Sequence, residues 1–342
     1  MGKLFYAMAA LMLFAAEPLP AADAEADEVT LTSGNRLTGR IRELIRGQLT
    51  FRIDGAGTVD IDKTNIETLR SARTFEIELT TGERLSGSIG GTQPGMPEIA
   101  TATGPRVVAI KDIARITWIG ASIRERSSAT VELGFDFVSG GDAIDWTFSG
   151  EIDNRTTNYL TKATFDSLLR RQNHDTTQRR NVLDLTSRRF LQDRWFVIGE
   201  LSAAEDLQLG LDSRYLAGLG GGRTLAQSYR TIIALYGGLD YALEDYSGVP
   251  GNDGSVEAFA TVEWDWFEVG ADIELTTKST VYQSFDRSRT RLELNWGLRR
   301  EIFRNFYWSL NVFESYDSDP PAELESGDFG LNLAIGLNLR RL

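Results

Sequence analysis

From residue 127 onward, apolar and polar residues alternate with a period of two. Val131, Leu133, Phe135 and Phe137 are interleaved with Glu132 and Asp136, then Ile144, Trp146 and Phe148 with Asp145, and Tyr159, Ala163 and Phe165 with Lys162 and Asp166. Successive side chains of a strand point to opposite faces, so each run reads as a strand with one apolar and one polar face. The pattern returns in Phe267, Val269, Ala271, Ile273 and Leu275, in Leu292, Leu294, Trp296 and Leu298, and in Phe329, Leu331, Leu333, Ile335 and Leu337. Twelve strands are predicted, near 129–138, 142–152, 157–167, 179–188, 194–204, 212–223, 229–240, 255–264, 267–277, 288–300, 305–315 and 328–340. Twelve is even, as a closed bacterial barrel requires. Most of these runs exceed the usual five or six residues of a globular strand and match a tilted strand crossing a bilayer.

The connections fall into two classes. Tight turns are expected at 153–156, 190–193, 224–227 and 302–305, and long polar loops at 170–178, 243–254, 278–286 and 316–327. Pro250, Pro320 and Pro321 all fall in the long class, where no ladder hydrogen bond is lost. In membrane barrels the short turns face the periplasm and the long loops the exterior. Trp195, Trp264, Trp266, Phe303, Phe306, Trp308, Tyr241 and Tyr246 near strand ends read as interfacial girdles.

Ahead of this region the pattern differs. Lys3, the apolar run Leu4 to Ala16 and Ala22-Asp23-Ala24 read as a signal peptide over 1–24, cleaved after Ala24. Residues 27–120 contain a repeat: Val29-Thr-Leu-Thr-Ser-Gly-Asn-Arg-Leu-Thr-Gly-Arg-Ile41 returns as Ile77-Glu-Leu-Thr-Thr-Gly-Glu-Arg-Leu-Ser-Gly-Ser-Ile89. Each copy predicts a hairpin turning at Gly34 or Gly82, with a strand bend at Gly39 or Gly87. Further short strands in each copy suit two small SH3-like or Sm-like barrels, over 27–71 and 73–120. A polar joint at 123–128 leads into the barrel of 127–342.

Composition narrows the function. The net charge is -13, with 33 acidic and 21 basic residues in 127–342 against 14 of each in 25–126, which argues against a nucleic-acid partner. The absence of Cys removes disulfides, thiolate metal sites and Cys nucleophiles, and the single His leaves little for a His-based site, so neither cofactor nor metal is expected. That residue, His174, lies in the expected 170–178 loop with no Ser at a matching strand position, which reads as a solvated loop residue rather than a general base. Gly218-Leu-Gly-Gly-Gly222 lacks the ending of a phosphate loop and is read as relieving crowding in the barrel, and Asp317-Ser-Asp319 as surface acid. Arg214, Arg230, Asp240, Asp272, Glu274, Arg291, Glu293 and Arg299 are expected on the lumen face, as a salt-bridged plug or the walls of a narrow water path.

The Gly-turn repeat, followed by Leu211-Asp-Ser-Arg-Tyr-Leu-Ala-Gly-Leu-Gly-Gly-Gly-Arg-Thr-Leu225 after a Trp-containing strand, resembles the YdiY-like family of salt-induced outer-membrane proteins. The likeness covers most of 127–342 and implies a Gram-negative outer-membrane location, with a barrel domain of unknown function and no reaction or ligand. The Leu339-Arg-Arg-Leu342 ending departs from the terminal aromatic usual in such barrels.

The expectation is an all-β chain: a twelve-strand antiparallel transmembrane barrel carrying a periplasmic pair of small β-repeats. Its expected role is structural or stress-related in the envelope, extending to a narrow passive pore for small solutes, without enzymatic activity. Its expected partners are outer-membrane lipid, the outer-membrane assembly machinery and an unidentified periplasmic partner of the repeats. A lipid-modifying barrel enzyme and a soluble periplasmic binding protein are the alternatives.

Overall fold

The computed structural model describes residues 26–91, 93–118, 126–138, 143–172, 175–248, 253–268, 272–286, 288–303, 306–320 and 326–339. The expected signal segment, His174, Pro250 and Pro321 lie outside the described residues.

The N-terminal region is built from β1 (Asp27–Leu31), β2 (Arg36–Ile45), β3 (Gln48–Ile53), β4 (Gly57–Asp62), β5 (Ile66–Leu79), β6 (Arg84–Gly90), β7 (Glu98–Thr101), β8 (Gly104–Val107) and β9 (Ile113–Trp118). They form one sheet in the order β4-β3-β2-β1-β5-β6-β7-β8, with β9 paired to both β2 and β5, so that β1, β2, β9 and β5 close a small ring. The repeat is structural. Val29 pairs with Leu37 and Ile77 with Leu85, and the hairpins turn on Gly34 and Gly82 at φ of 84° and 88°. Gly39 and Gly87 are required for a shared reason: a Cβ would sit 2.1 Å from the Arg52 carbonyl oxygen in one copy and 2.2 Å from that of Ala100 in the other. The copies are not separate bodies, because each exposes an apolar face and an unpaired strand edge that the other covers. Val29, Ile41, Phe51, Phe75, Ile77, Ile99 and Ile116 belong to a single core.

The barrel comprises β10 (Ser127–Val138), β11 (Ala143–Arg155), β12 (Tyr159–Gln172), β13 (Asp175–Phe190), β14 (Trp195–Asp206), β15 (Leu211–Gln227), β16 (Thr231–Tyr246), β17 (Asp253–Glu268), β18 (Ile273–Ser284), β19 (Thr290–Phe303), β20 (Phe306–Asp317) and β21 (Gly327–Leu339). Each strand pairs antiparallel with the next, and β21 closes on β10 through Val131↔Leu337 and Leu133↔Ile335. All twelve expected strands are present, and most run longer than expected. The loop expected at 170–178 is largely ladder, with β12 and β13 paired as far as Gln172↔Asp175, and most of the loop expected at 278–286 belongs to β18. The alternation over 267–277 spans a connection: Phe267 ends one strand facing the lumen, while Leu275 of the next faces outward, opposite Trp266. A period-two pattern carries no mark of a turn that preserves its phase.

Leu133, Trp146, Leu201, Leu219, Leu331, Leu333 and Ile335 are each more than half exposed on the outer wall. Aromatic residues border this band at both ends, with Tyr159, Trp195, Trp264 and Phe306 near the short turns and Tyr215, Tyr241, Tyr316 and Phe329 toward the long loops. Tyr246, expected in a girdle, is buried inside. No helix among the described residues is long and apolar enough to cross a membrane; the closed barrel and its apolar band do so with strands.

Leu333, 63% exposed, faces outward, whereas its neighbour Asn332 accepts a hydrogen bond from Thr147 inside. Leu333→Arg should therefore cost about 2–4 kcal/mol in unfolding titrations from lipid vesicles, and Asn332→Arg far less. Equal losses would refute the assigned faces.

Candidate functional site: a lumen closed by the N-terminal domain

The inward positions are polar and mostly paired. At the long-loop end Arg214 Nε donates to Glu244 Oε1 at 2.6 Å, and Arg289, 3% exposed, donates to Asp317 Oδ1 at 2.9 Å and to the Tyr246 hydroxyl at 2.9 Å while pairing with Glu244 at 2.5 Å. Arg291 pairs with Glu257 and, at 3.4 Å, with Glu293. Across the same end Gln178 of β13 donates to Asp328 of β21 at 3.2 Å, and Arg180 stacks on Phe313 at 4.3 Å. Buried charges persist when matched in this way, since removing one partner strands the other away from water.

One lumen wall is aromatic. Phe196, Tyr236, Phe259 and Tyr282 form a chain with ring centroids 5.8, 6.3 and 6.4 Å apart. The chain skips β15, whose inward positions here are Gly220 and Gly222; a Cβ on Gly222 would lie 2.2 Å from the Tyr236 Cβ. The glycine run thus makes room for rings, as the sequence implies. Arg188 crosses from β13 to Glu263 of β17 at 2.9 Å and lies over the Phe196 ring at 4.3 Å.

Between these groups is a cavity of about 1340 Å³, whose short-turn end is lined by Arg42, Arg46, Arg52 and Arg115 of the N-terminal domain. The domain is docked on that mouth. Arg46 pairs with Glu274, which also takes Arg299, and lies 4.5 Å from the Phe267 ring centroid. Glu78 accepts from Arg84 at 2.8 Å and from the barrel's Arg155 at 2.9 Å, and Arg84 stacks 3.5 Å over Phe190. Arg194 of a barrel turn donates to the Thr81 carbonyl at 3.0 Å, and a Cβ on Gly82 would overlap its side chain. Lys63, donating to the Ile113 carbonyl at 2.9 Å, lies 4.9 Å from the Tyr229 ring.

Burial drives the Glu78 carboxyl upward, but the guanidiniums of Arg155, Arg84 and Arg115 outweigh it and hold Glu78 at about 2. Its neighbour Glu76 goes the other way: burial raises it, and Arg155 and Arg84 only partly oppose the shift. Burial also lowers Lys63, against the pull of Asp112 and Asp62.

Of the eight expected lumen charges, Arg214, Asp240, Glu274, Arg291, Glu293 and Arg299 are on inward positions. Arg230 and Asp272 are not. Arg230 sits in the turn before β16, exposed, 3.8 Å from Glu268; Asp272 sits in the turn before β18 at φ 50° and accepts from Gln48 at 3.3 Å. Both lie in turns because β16 and β18 begin later than the alternation indicates, at Thr231 and Ile273. Asp317, expected as surface acid, is instead buried at the end of β20 and paired with Arg289, which the alternation does not single out; at a strand end a buried ion pair has the composition of a loop. Among the described residues no group of three or more His, Cys, Asp or Glu is placed to hold a metal ion.

Arg84 and Arg115 belong to the N-terminal domain itself, so the part of the Glu78 depression gained on docking is that from Arg155; it stabilises docking above the ordinary carboxyl value and is lost as pH falls from about 4.5 toward 2. The Glu78 contribution to docking should thus persist at pH 5 and fade below it, read by hydrogen exchange of β5 amides. Arg155→Ala, which removes the barrel's guanidinium from Glu78 and Glu76 and leaves them to Arg84 of their own domain, should weaken docking by about 1.5–3 kcal/mol. The exposed Arg106–Glu83 pair at 3.0 Å provides the contrast, with Arg106→Ala costing under about 1 kcal/mol. Equal effects would show that the buried pair does not hold the domain.

Solved structures similar to the barrel include the NanC porin (9% identity, TM-score 0.38, covering 63% of this chain and 100% of that one). The translocator domain of the autotransporter NalP from Neisseria meningitidis is 15% identical, with a TM-score of 0.37 and coverage of 63% and 87%. The KdgM porin is 11% identical, with a TM-score of 0.30 and coverage of 62% and 98%. No curated protein matches the sequence. A family model does match, over residues 131–338, in agreement with the resemblance of that region to a barrel domain of unknown function. The chain, an outer-membrane-type β-barrel by its closure and apolar band, belongs to the family described as "Protein of unknown function, DUF481".

Proposed function

We propose that the protein resides in the outer membrane of a Gram-negative cell, with its N-terminal domain in the periplasm, and provides a narrow passive pathway for small polar solutes that this domain holds shut. The observation that carries the reading is the polar cavity of about 1340 Å³ inside a closed barrel, bounded at one mouth by the chain's own N-terminal domain. The short turns, both barrel ends and the docked domain share that mouth, which is the periplasmic side in barrels of this type. Its attachment is polar, made of Arg–Glu pairs and Arg–aromatic stacking, so release exposes little apolar surface. In this reading its partners are outer-membrane lipid and the assembly machinery, and its role in the envelope is one of controlled closure.

Planar bilayers test the pathway. The full-length protein should give small, infrequent conductance steps, and Arg155→Ala should raise their frequency severalfold. Silence from both proteins after confirmed heat-modifiable folding would refute a pathway in favour of a structural role.

A further inference from the structure

Glu200 of β14, Gly218 of β15 and Asp240 of β16 form one inward row, set by the pairings Glu200↔Gly218 and Gly218↔Asp240. Gly218 contributes no side chain. A Cβ there would lie 3.0 Å from Glu200 Cγ, 3.1 Å from Glu200 Oε1 and 3.1 Å from Asp240 Cβ, so the two acidic side chains flank a notch. Asp240 is 3% exposed, and neither of its carboxylate oxygens has a hydrogen-bond partner; Glu200 Oε1 is likewise buried and unpartnered.

The surrounding charges do not supply what is missing. Glu257, Arg291, Glu200 and Glu293 act on Asp240, and Arg291 is already paired with Glu257 and Glu293. Lys278, Asp184, Glu293 and Glu263 act on Glu200, among which acids outnumber the one cation. An unpaired buried carboxylate is costly, and two side by side do not both ionise without a counter-charge.

We propose that the Glu200–Gly218–Asp240 row binds a single monovalent cation, which makes the lumen select cations over anions. Glu200 lines the cavity, so the notch is reached from the lumen, and Gly218 leaves space for an ion where any other residue would place a side chain. Among the described residues no third acidic or His ligand joins these two carboxylates, which fall short of the oxygen-rich cage a divalent ion takes. The inward guanidiniums of Arg188, Arg214, Arg291 and Arg299 are all held in ion pairs, and even with Lys278 on the same wall the acids lining the cavity outnumber its basic residues. The selectivity rests on the passive-pathway reading; the site itself does not.

Crystals of the full-length protein grown in thallium(I) acetate should show an anomalous peak between Glu200 and Asp240, lost in Glu200→Gln/Asp240→Asn. In planar bilayers under a tenfold KCl gradient, the reversal potential should carry the cation-selective sign and shrink severalfold in the same variant. Glu200→Gln alone, on the cavity wall, serves where the double variant fails the heat-modifiability check. A thallium peak without conductance supports the site and removes the pathway. Absence of the peak, with the two carboxyls sharing a proton instead, or an anion-selective reversal potential, overturns the proposal.

Discussion

Every backbone amide and carbonyl placed in lipid must find a partner within the protein, and for a chain of strands the solution is a closed ring. The pairing of β10 with β21 is therefore the contact on which the barrel depends. With the edges gone, outward side chains are free to be apolar and inward ones to be charged, and alternation along each strand sorts them. The outer wall carries Leu, Ile and aromatic residues, and the inner wall carries the acids and guanidiniums that make the region's composition look soluble.

Charges confined to a lumen must be matched, and the matching shapes the interior. Arg289, Arg291 and Arg214 tie together acids from β16, β17, β19 and β20 at the long-loop end. Arg188 and Gln178 reach across the bore. At the opposite mouth the barrel places Arg155, Glu274 and the Phe190 and Phe267 rings around the lumen, and the N-terminal domain supplies Glu78, Arg46 and Arg84 as their complements. Closure of the mouth follows from side-chain matching rather than from any covalent constraint.

The barrel was legible in the sequence because period-two alternation is imposed by lipid on every strand: Val131, Leu133, Leu331, Leu333 and Ile335 all face as the pattern implies. Strand ends were less legible. Near the long loops the wall continues beyond the apolar band, so residues 170–172 and 175–178 have the composition of a loop and the pairing of a ladder. The repeat was legible down to Gly34, Gly39, Gly82 and Gly87, since a turn or a close backbone approach demands glycine there. That both copies share one core was not, because β9 pairs with β2 and β5 over sequence separations that carry no local signal. Docking was hidden for the same reason: Arg155 and Glu78 are 77 residues apart, and each looks like an ordinary surface charge in isolation.

The central claim is that a membrane-spanning barrel carries its N-terminal domain on the short-turn, periplasmic mouth. The absence of native Cys allows a direct measurement on intact cells with a membrane-impermeant maleimide, using Ser318→Cys beyond β20 at the long-loop end and Gln227→Cys at the short-turn end of β15. Ser318→Cys should be labelled and Gln227→Cys spared until the outer membrane is permeabilised. Labelling of Gln227→Cys with protection of Ser318→Cys would invert the barrel, and protection of both would contradict a surface-exposed long-loop face.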